Sequence, residues 1–155
     1  MTTIIVDRKK KLMAADRLHV AGDQMFVGSP KIRRFKTDHT EWLVASSGCA
    51  EAGSFFDLWF ESGLFPEGVN DEEREALYPK DGEFNAVALN NRGDLFWYGS
   101  KGASIPIKSP LFGLGSGSGY ALGAYRAVQD PRRAILIASS FDPYTGKGVQ
   151  IEQIK

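Results

Sequence analysis

An apolar run beside the N-terminus constrains the fold more than any other stretch of this 155-residue chain. Ile4, Ile5 and Val6 are consecutive, so a strand there presents apolar side chains on both of its faces. The charged segment 7–11 follows, and a second β-prone run returns through residues 12–15. This pattern predicts a β-hairpin whose first strand is buried on both sides.

Thr2 precedes this strand and has the chemistry of a nucleophile that carries its own base. If Met1 is removed, the Thr2 hydroxyl can attack a carbonyl while the free α-amine, with a pKa of about 7.7–8.0, accepts the proton. Removal of Met1 by an aminopeptidase is expected because the second residue is small. The alternative is that Thr2 and Thr3 only begin a strand.

The composition argues against several functional classes. Lys plus Arg and Asp plus Glu number 19 each, so the net charge does not indicate nucleic-acid binding. The two histidines stand apart without ligand-spaced partners, which predicts no metal site, and we expect no cofactor. Cys49 is the only cysteine, which excludes an internal disulfide and fits a reducing, cytoplasmic compartment. The sequence contains neither a membrane-spanning apolar run nor a signal-peptide pattern.

Helical and β-like patterns are segregated along the chain. Apolar and aromatic residues recur at helical spacing across 49–63, and Asn70 with Glu73 has the capping-box spacing of a short helix. Two β-like runs, 84–89 and 95–98, flank a polar turn and predict a hairpin. The order favours α+β layers in one domain, residues 1–155, over a parallel doubly wound sheet.

The glycine-rich segment 115–119 precedes a predicted helix and allows two interpretations. A helix N-terminus favours anions, but the segment has neither the lysine of a P-loop nor the full dinucleotide-binding spacing. The alternative is that these glycines allow the backbone to come close to a reacting centre, with the hydroxyl of Ser116 beside it.

Six short motifs follow one another in an order that resembles a known family. They are Thr2-Thr3, Ala14-Ala15-Asp16-Arg17, the lysine of Lys31-Ile-Arg-Arg-Phe, Ser47-Gly48 before a helix, Gly115-Ser116-Gly117-Ser118 with Tyr120-Ala121, and Asp142-Pro-Tyr-Thr145-Gly146. Over essentially the whole chain, their order and spacing resemble the proteasome β-subunits and HslV, which are N-terminal nucleophile hydrolases. The resemblance implies a four-layer α/β/β/α sandwich of two antiparallel sheets flanked by helices.

The resemblance also implies roles for seven residues. Thr2 matches the nucleophile, and Asp16 matches an aspartate that sits beside a lysine near it. Lys31 matches that lysine, whose charge would lower the pKa of the threonine hydroxyl and amine. Gly48 matches the glycine whose backbone N–H faces the developing oxyanion.

The remaining three positions of the resemblance support the nucleophile. Ser116 matches a serine near the threonine amine, and Asp142 and Thr145 match a late aspartate and serine that support this amine. Thr145 departs from the family pattern but keeps a hydroxyl. Taken alone, Asp16 with Lys31 fits a buried ion pair, and Asp142 with Thr145 fits a capped turn.

The function implied by the resemblance is that of a threonine-type endopeptidase cleaving unfolded polypeptide inside a homo-oligomeric ring, fed by an ATP-dependent unfoldase. The aromatic face of the 49–63 helix is predicted to pack in the core or against another helix. Its rings are also more than one small domain is expected to bury, so exposed ones would favour association; they are Phe55, Phe56, Trp59 and Phe60. Two alternatives share the fold: a hydrolase of small amides, and a catalytically silent structural or assembly subunit, for instance of a phage.

Overall fold

The computed structural model describes residues 2–80 and 83–155. Its strands are β1 Ile4–Asp7, β2 Leu12–Asp16, β3 Leu18–Ala21, β4 Gln24–Val27, β5 Ile32–Lys36, β6 Glu41–Gly48, β7 Phe84–Asn90, β8 Leu95–Gly99, β9 Ser104–Ile107, β10 Leu111–Leu114 and β11 Val149–Gln153. Its helices are α1 Ala50–Leu64, α2 Asp71–Leu77, α3 Ser118–Val128 and α4 Pro131–Ser139. No helix in the described ranges is long and apolar enough to cross a membrane.

Two antiparallel sheets pack face to face between two helical layers. The four-stranded sheet has the order β10-β1-β2-β11, and the five-stranded sheet has the order β5-β6-β7-β8-β9. Helices α3 and α4 cover the outer face of the first sheet, and α1 covers the outer face of the second. This arrangement is the expected α/β/β/α sandwich, and its three apolar clusters separate the four layers.

The hairpin of β1 and β2 lies at the centre of the four-stranded sheet, as its sequence predicts. Ile4 and Val6 point into the cluster between the sheets, whereas Ile5 points into the cluster under α3 and α4. All three side chains are almost completely buried. Successive side chains of a strand point to opposite faces, so a strand needs apolar residues at every position only when both faces are covered. This explains the consecutive Ile-Ile-Val.

The aromatic face of α1 is mostly internal, in agreement with the predicted core packing, and this corrects the expectation that its rings are exposed for association. Phe56 and Phe60 are buried against the five-stranded sheet, and Trp59 is half-buried beside them. Phe55 alone among the four is exposed, at 44%. The helix therefore packs its large rings on Ala86, Ala88 and aromatic side chains of the sheet beneath it, such as Phe84.

Two short elements have no clear signal in the sequence. The β3–β4 hairpin is a separate two-stranded sheet with β4 exposed along its length, so it lacks the alternation of a half-buried strand. Strand β10 pairs with β1, Ile4 opposite Leu114, and it contains Gly113 next to a glycine-rich loop. Strand β10 pairs with a partner distant in sequence, and β4 stays exposed although it is paired. Local sequence patterns indicate neither situation.

Candidate active site

Thr2 lies at the wall of a cleft of about 500 Å³, formed where β5 and the C-terminal end of β6 meet the β3–β4 hairpin and the start of α1. Lys31 and Gly48 line the same cleft. Thr2 is itself largely buried, with 6% of its surface exposed. The predicted nucleophile, its predicted lysine and the predicted oxyanion glycine therefore share one concave surface, which is the usual setting of an active site.

Asp16 is completely buried at the end of β2 and accepts hydrogen bonds through both carboxylate oxygens. The backbone N–H of Thr3 and the ammonium of Lys31 donate to Oδ1, at 2.9 and 2.8 Å. The backbone N–H groups of Leu18 and Gly146 donate to Oδ2, at 3.0 and 3.1 Å. These four donors compensate the carboxylate for its burial and hold the start of β1, the start of β3 and a late loop in one arrangement.

Lys31 reaches Asp16 from the residue before β5, and only 5% of its side chain is exposed. Burial lowers the pKa of the Lys31 ammonium, against the opposing effect of the neighbouring Asp16 carboxylate. A buried pair of this kind is costly to break because removal of one partner leaves the other charge without compensation. The pair places a cation at the wall of the cleft that Thr2 lines.

Ser116 and Thr145 both hydrogen-bond Oδ2 of Asp142, at 2.8 and 2.6 Å. The backbone N–H of Tyr144 donates to the other oxygen at 3.2 Å. Burial by itself would raise the pKa of Asp142, but the hydrogen bonds from Thr145, Ser116 and Tyr144 outweigh it, and the pKa is lowered. The three predicted residues thus form one hydroxyl–carboxylate cluster, and the carboxylate beside Ser116 makes this loop unsuited to an anion.

Thr3, to which the resemblance assigns no role, connects the two groups of predicted residues. Its backbone N–H bonds Asp16, and its hydroxyl contacts the hydroxyl of Thr145 at 2.5 Å. The Thr2-Thr3 pair indicates this role in the sequence. Successive side chains of an extended chain point to opposite sides, so the two hydroxyls face different parts of the structure.

Two glycines with positive φ lie at the site. Gly48 ends β6 with φ of 113°, and Gly115 precedes α3 with φ of 92°. A Cβ on residue 115 would lie 1.7 Å from the carbonyl oxygen of Thr2, and one on residue 48 would lie 2.0 Å from the carbonyl oxygen of Glu83. The second interpretation of the glycine-rich segment therefore fits the structure, because its backbone approaches the backbone of Thr2 directly.

The described residues contain no cluster of His, Cys, Asp and Glu side chains that could hold a metal ion.

The seven predicted site residues fall into three places. Thr2, Lys31 and Gly48 line the cleft, Asp16 lies behind Lys31, and the remaining positions form the cluster of Ser116, Asp142 and Thr145.

Asp57 also lines the cleft and gives a prediction about pH. Burial raises its pKa to about 6, although Arg33 at 3.5 Å opposes the rise and Glu61 adds to it. The folded state then binds more protons than the unfolded state between pH 4 and 6, so Asp57 destabilises the fold as pH rises through this range. Since each pH unit between the two pKa values corresponds to about 1.4 kcal/mol, its share approaches roughly 3 kcal/mol.

Asp57→Asn should accordingly remove this part of the pH dependence and leave the protein at least as stable as the parent at pH 7. Urea unfolding at pH 4 and pH 7 measures the difference. Glu51→Gln, which removes an exposed carboxylate from the first turn of the same helix, controls for the loss of one negative charge. Equal pH dependence in Asp57→Asn and the parent would contradict the assignment.

Comparison with known proteins gives a fold but no close relative. No protein-family profile matches the chain, and no curated protein matches it in sequence. Among solved structures, HslV from Trypanosoma brucei is similar with a TM-score of 0.68 and 22% identity, over 97% of this chain and 98% of that one. Thiobacillus denitrificans BPH, solved in complex with epoxomicin, has a TM-score of 0.65 and 20% identity, over 99% and 100% of the two chains.

Anbu from Yersinia bercovieri is similar with a TM-score of 0.75 and 16% identity, over 99% of this chain and 81% of that one. At these identities the likeness shows a common fold. The chain therefore has the fold of HslV and Anbu, and the four-layer sandwich implied by the resemblance of its motifs is confirmed.

Proposed function

We propose that the chain is a threonine-type peptidase whose nucleophile is the hydroxyl of Thr2, exposed as an N-terminal residue by removal of Met1. The observation that carries the proposal is the cleft of about 500 Å³ shared by Thr2, Lys31 and Gly48. The likeness in fold to HslV and to an epoxomicin-bound protein adds support. Among the residues that line the cleft, Thr2 alone would have both a side-chain hydroxyl and an α-amine once Met1 is removed.

In the proposed first step, the Thr2 amine accepts the hydroxyl proton while Oγ1 bonds to the carbonyl carbon of the substrate. The C–N bond then breaks, the leaving amine takes the proton, and an ester to Thr2 remains. Water, deprotonated by the same amine, then attacks the ester carbonyl carbon; the acyl C–O bond breaks, Oγ1 of Thr2 takes the proton back, and the carboxylic acid leaves. A free α-amine has a pKa of about 7.7–8.0, which suits this double use near neutral pH.

The proposed role of Lys31 is electrostatic. Its ammonium, held by Asp16 at 2.8 Å, favours the deprotonated hydroxyl and the neutral amine of a neighbouring Thr2. The proposed role of Gly48 is to present its backbone N–H to the oxyanion of the tetrahedral intermediate. Its position at the end of β6 and at the cleft wall supports this role.

The cluster of Ser116, Asp142 and Thr145 is proposed to support the amine of Thr2. Ser116 follows Gly115, whose backbone approaches the Thr2 carbonyl closely, so the cluster and the nucleophile belong to one compact region. The lowered pKa of Asp142 keeps this carboxylate ionised, and a negative charge there favours a protonated amine at the stage when the amine holds the transferred proton.

We also propose that the substrate is unfolded polypeptide and that the chain assembles into a ring-forming homo-oligomer fed by an ATP-dependent unfoldase. The likeness to HslV supports the assembly. The β3–β4 hairpin offers one exposed apolar surface for it; its side chains are Met25, Phe26 and Val27, each 44–53% exposed. Apolar residues in such a patch favour association.

Covalent capture tests the proposal. Protein lacking Met1 is incubated with epoxomicin, an epoxyketone whose two electrophilic carbons suit a hydroxyl and an amine of one residue, and the intact mass is followed with time. We expect one adduct per chain, mapped to Thr2 by peptide sequencing, and slower labelling of Lys31→Ala. Cys49 is exposed in the same cleft, so Cys49→Ser is the control and should label like the parent. An unmodified parent, or an adduct mapped to Cys49, would overturn the proposal.

A further inference from the structure

Thr3 is bound to Asp16 through both of its backbone polar groups. Its N–H donates to Oδ1 of Asp16 at 2.9 Å, and its carbonyl accepts from the N–H of Asp16 at 3.1 Å. The same Oδ1 accepts from Lys31. The residue is completely buried. The position of the chain directly after Thr2 is therefore determined by the ion pair that lies at the cleft.

The hydroxyl of Thr3 belongs to a second network with a defined direction. Asp142 accepts at both carboxylate oxygens: Oδ1 receives the Tyr144 N–H, and Oδ2 receives hydrogen bonds from Ser116 and, at 2.6 Å, from Thr145. Thr145 has one hydroxyl proton, which this bond uses. In the contact between the two threonine hydroxyls at 2.5 Å, Thr3 is consequently the donor and Thr145 the acceptor.

Gly117 encloses this contact. A Cβ on residue 117 would lie 2.2 Å from Oγ1 of Thr3, 2.5 Å from Oγ1 of Thr145 and 2.8 Å from Oδ2 of Asp142. The backbone of Gly117 therefore lies against the hydroxyls of Thr3 and Thr145, where no side chain would fit.

We infer that Thr3 is a positioning residue that couples the Asp16–Lys31 pair to the cluster of Thr145, Asp142 and Ser116, and thereby orients Thr2. The inference rests on the proposed function. Its basis is that one buried residue bonds both groups, with its backbone on one side and its hydroxyl on the other. A nucleophile whose amine and hydroxyl must both meet the substrate carbonyl is sensitive to small displacements, because a shift of about 1 Å can cost roughly 100-fold in rate.

Thr3→Val and Thr3→Ser test the inference in protein lacking Met1. Thr3→Val keeps the shape and removes the donor, so we expect kcat for a fluorogenic peptide to fall about 10- to 100-fold with KM within about twofold of the parent. Thr3→Ser keeps the donor and should return kcat to within about threefold. Thr40→Val, at the opposite end of β6 from Gly48, is the matched control and should behave like the parent.

A second comparison separates coupling from local packing. Because Thr145 is the acceptor of the Thr3 hydroxyl, Thr3→Val should cost little further rate in a Thr145→Val background. If Thr3→Val does not fold, as judged by circular dichroism, Thr3→Ala against Thr3→Ser carries the same test without a new methyl group facing the Thr145 hydroxyl.

Parental kcat in the folded Thr3→Val or Thr3→Ala protein, or equal losses in Thr3→Ser and Thr3→Val, would overturn the inference while leaving the peptidase intact. Losses that simply add in the Thr3→Val, Thr145→Val double variant would also overturn it. A parent that neither hydrolyses peptide nor forms the epoxomicin adduct would instead reject the proposed function, and the inference with it.

Discussion

Thr2→Ala is expected to abolish peptide hydrolysis in protein lacking Met1 while leaving the fold intact. The substitution removes the only atom proposed to bond to the substrate, so no acyl-enzyme can form. The backbone of residue 2, which approaches Gly115, is unchanged, and the residue is at the edge of the core rather than within an apolar cluster. An aminopeptidase removes Met1 before a small second residue, and alanine is as small as this requires, so Met1 is still removed from the variant.

Hydrolysis of a fluorogenic peptide, measured with intact mass and thermal unfolding of the same samples, checks this result. Thr2→Ser is the matched variant, since it keeps both the hydroxyl and the α-amine and should retain measurable turnover. If Thr2→Ala cleaves the peptide as fast as the parent, Thr2 is not the nucleophile. Cys49, exposed at the same cleft, is then the residue to substitute next.

Local patterns predicted most of the fold because each of them has a direct physical cause. The capping box of α2 forms as expected, with Asn70 accepting from the Glu73 N–H and Glu73 accepting from the Asn70 N–H. Asp130 accepts from the N–H of Arg133 at the start of α4, with Pro131 in the first turn. Caps of this kind involve residues three apart, so the sequence displays both partners.

Features that depend on distant partners were predicted less well. Thr3 and Thr145 are 142 positions apart, and the sequence near Thr3 does not indicate their contact. The raised pKa of Asp57 depends on burial at the cleft beside Arg33, which follows from the packing of α1 on the sheet. The error over Phe56 and Phe60 has the same origin: helical periodicity identifies an apolar face, but the sheet residues it covers determine how much of that face is internal.

The resemblance to a known family groups seven residues that local sequence patterns do not connect. Asp16, Lys31 and Asp142 are each explained by an ordinary structural role when taken alone, and only the order of motifs suggested that they belong together. The structure brings Asp16 to Lys31 and brings Asp142 to Ser116 and Thr145.

Retention of Met1 is expected to abolish the proposed peptidase activity completely. Met1 lies outside the described residues. In protein that keeps the methionine, the nitrogen of Thr2 belongs to a peptide bond, and an amide nitrogen is not a base at neutral pH. The α-amine that accepts the hydroxyl proton in the proposed first step is then absent, whatever Lys31 and Asp142 contribute.

Two preparations of the same chain measure this effect: one with Met1, and one treated with methionine aminopeptidase until the intact mass shows its loss. We expect peptide hydrolysis and epoxomicin labelling only in the second, with identical thermal unfolding of the remaining fold. The Thr2→Ala chain, trimmed in parallel, reports any activity from the aminopeptidase itself. Equal activity with and without Met1 would show that the α-amine is not the base.

Intact mass of protein from its native source then decides which form matters. Quantitative loss of Met1 there is the expected result, since Thr2 is small enough to follow a removable methionine. If the native protein keeps Met1 throughout, the peptidase proposal fails for the physiological form. The buried networks around Asp16 and Asp142 would then serve the stability of a catalytically silent subunit, because four donors on one carboxylate and two hydroxyls on another are sufficient to hold the N-terminal strand in place without any reaction.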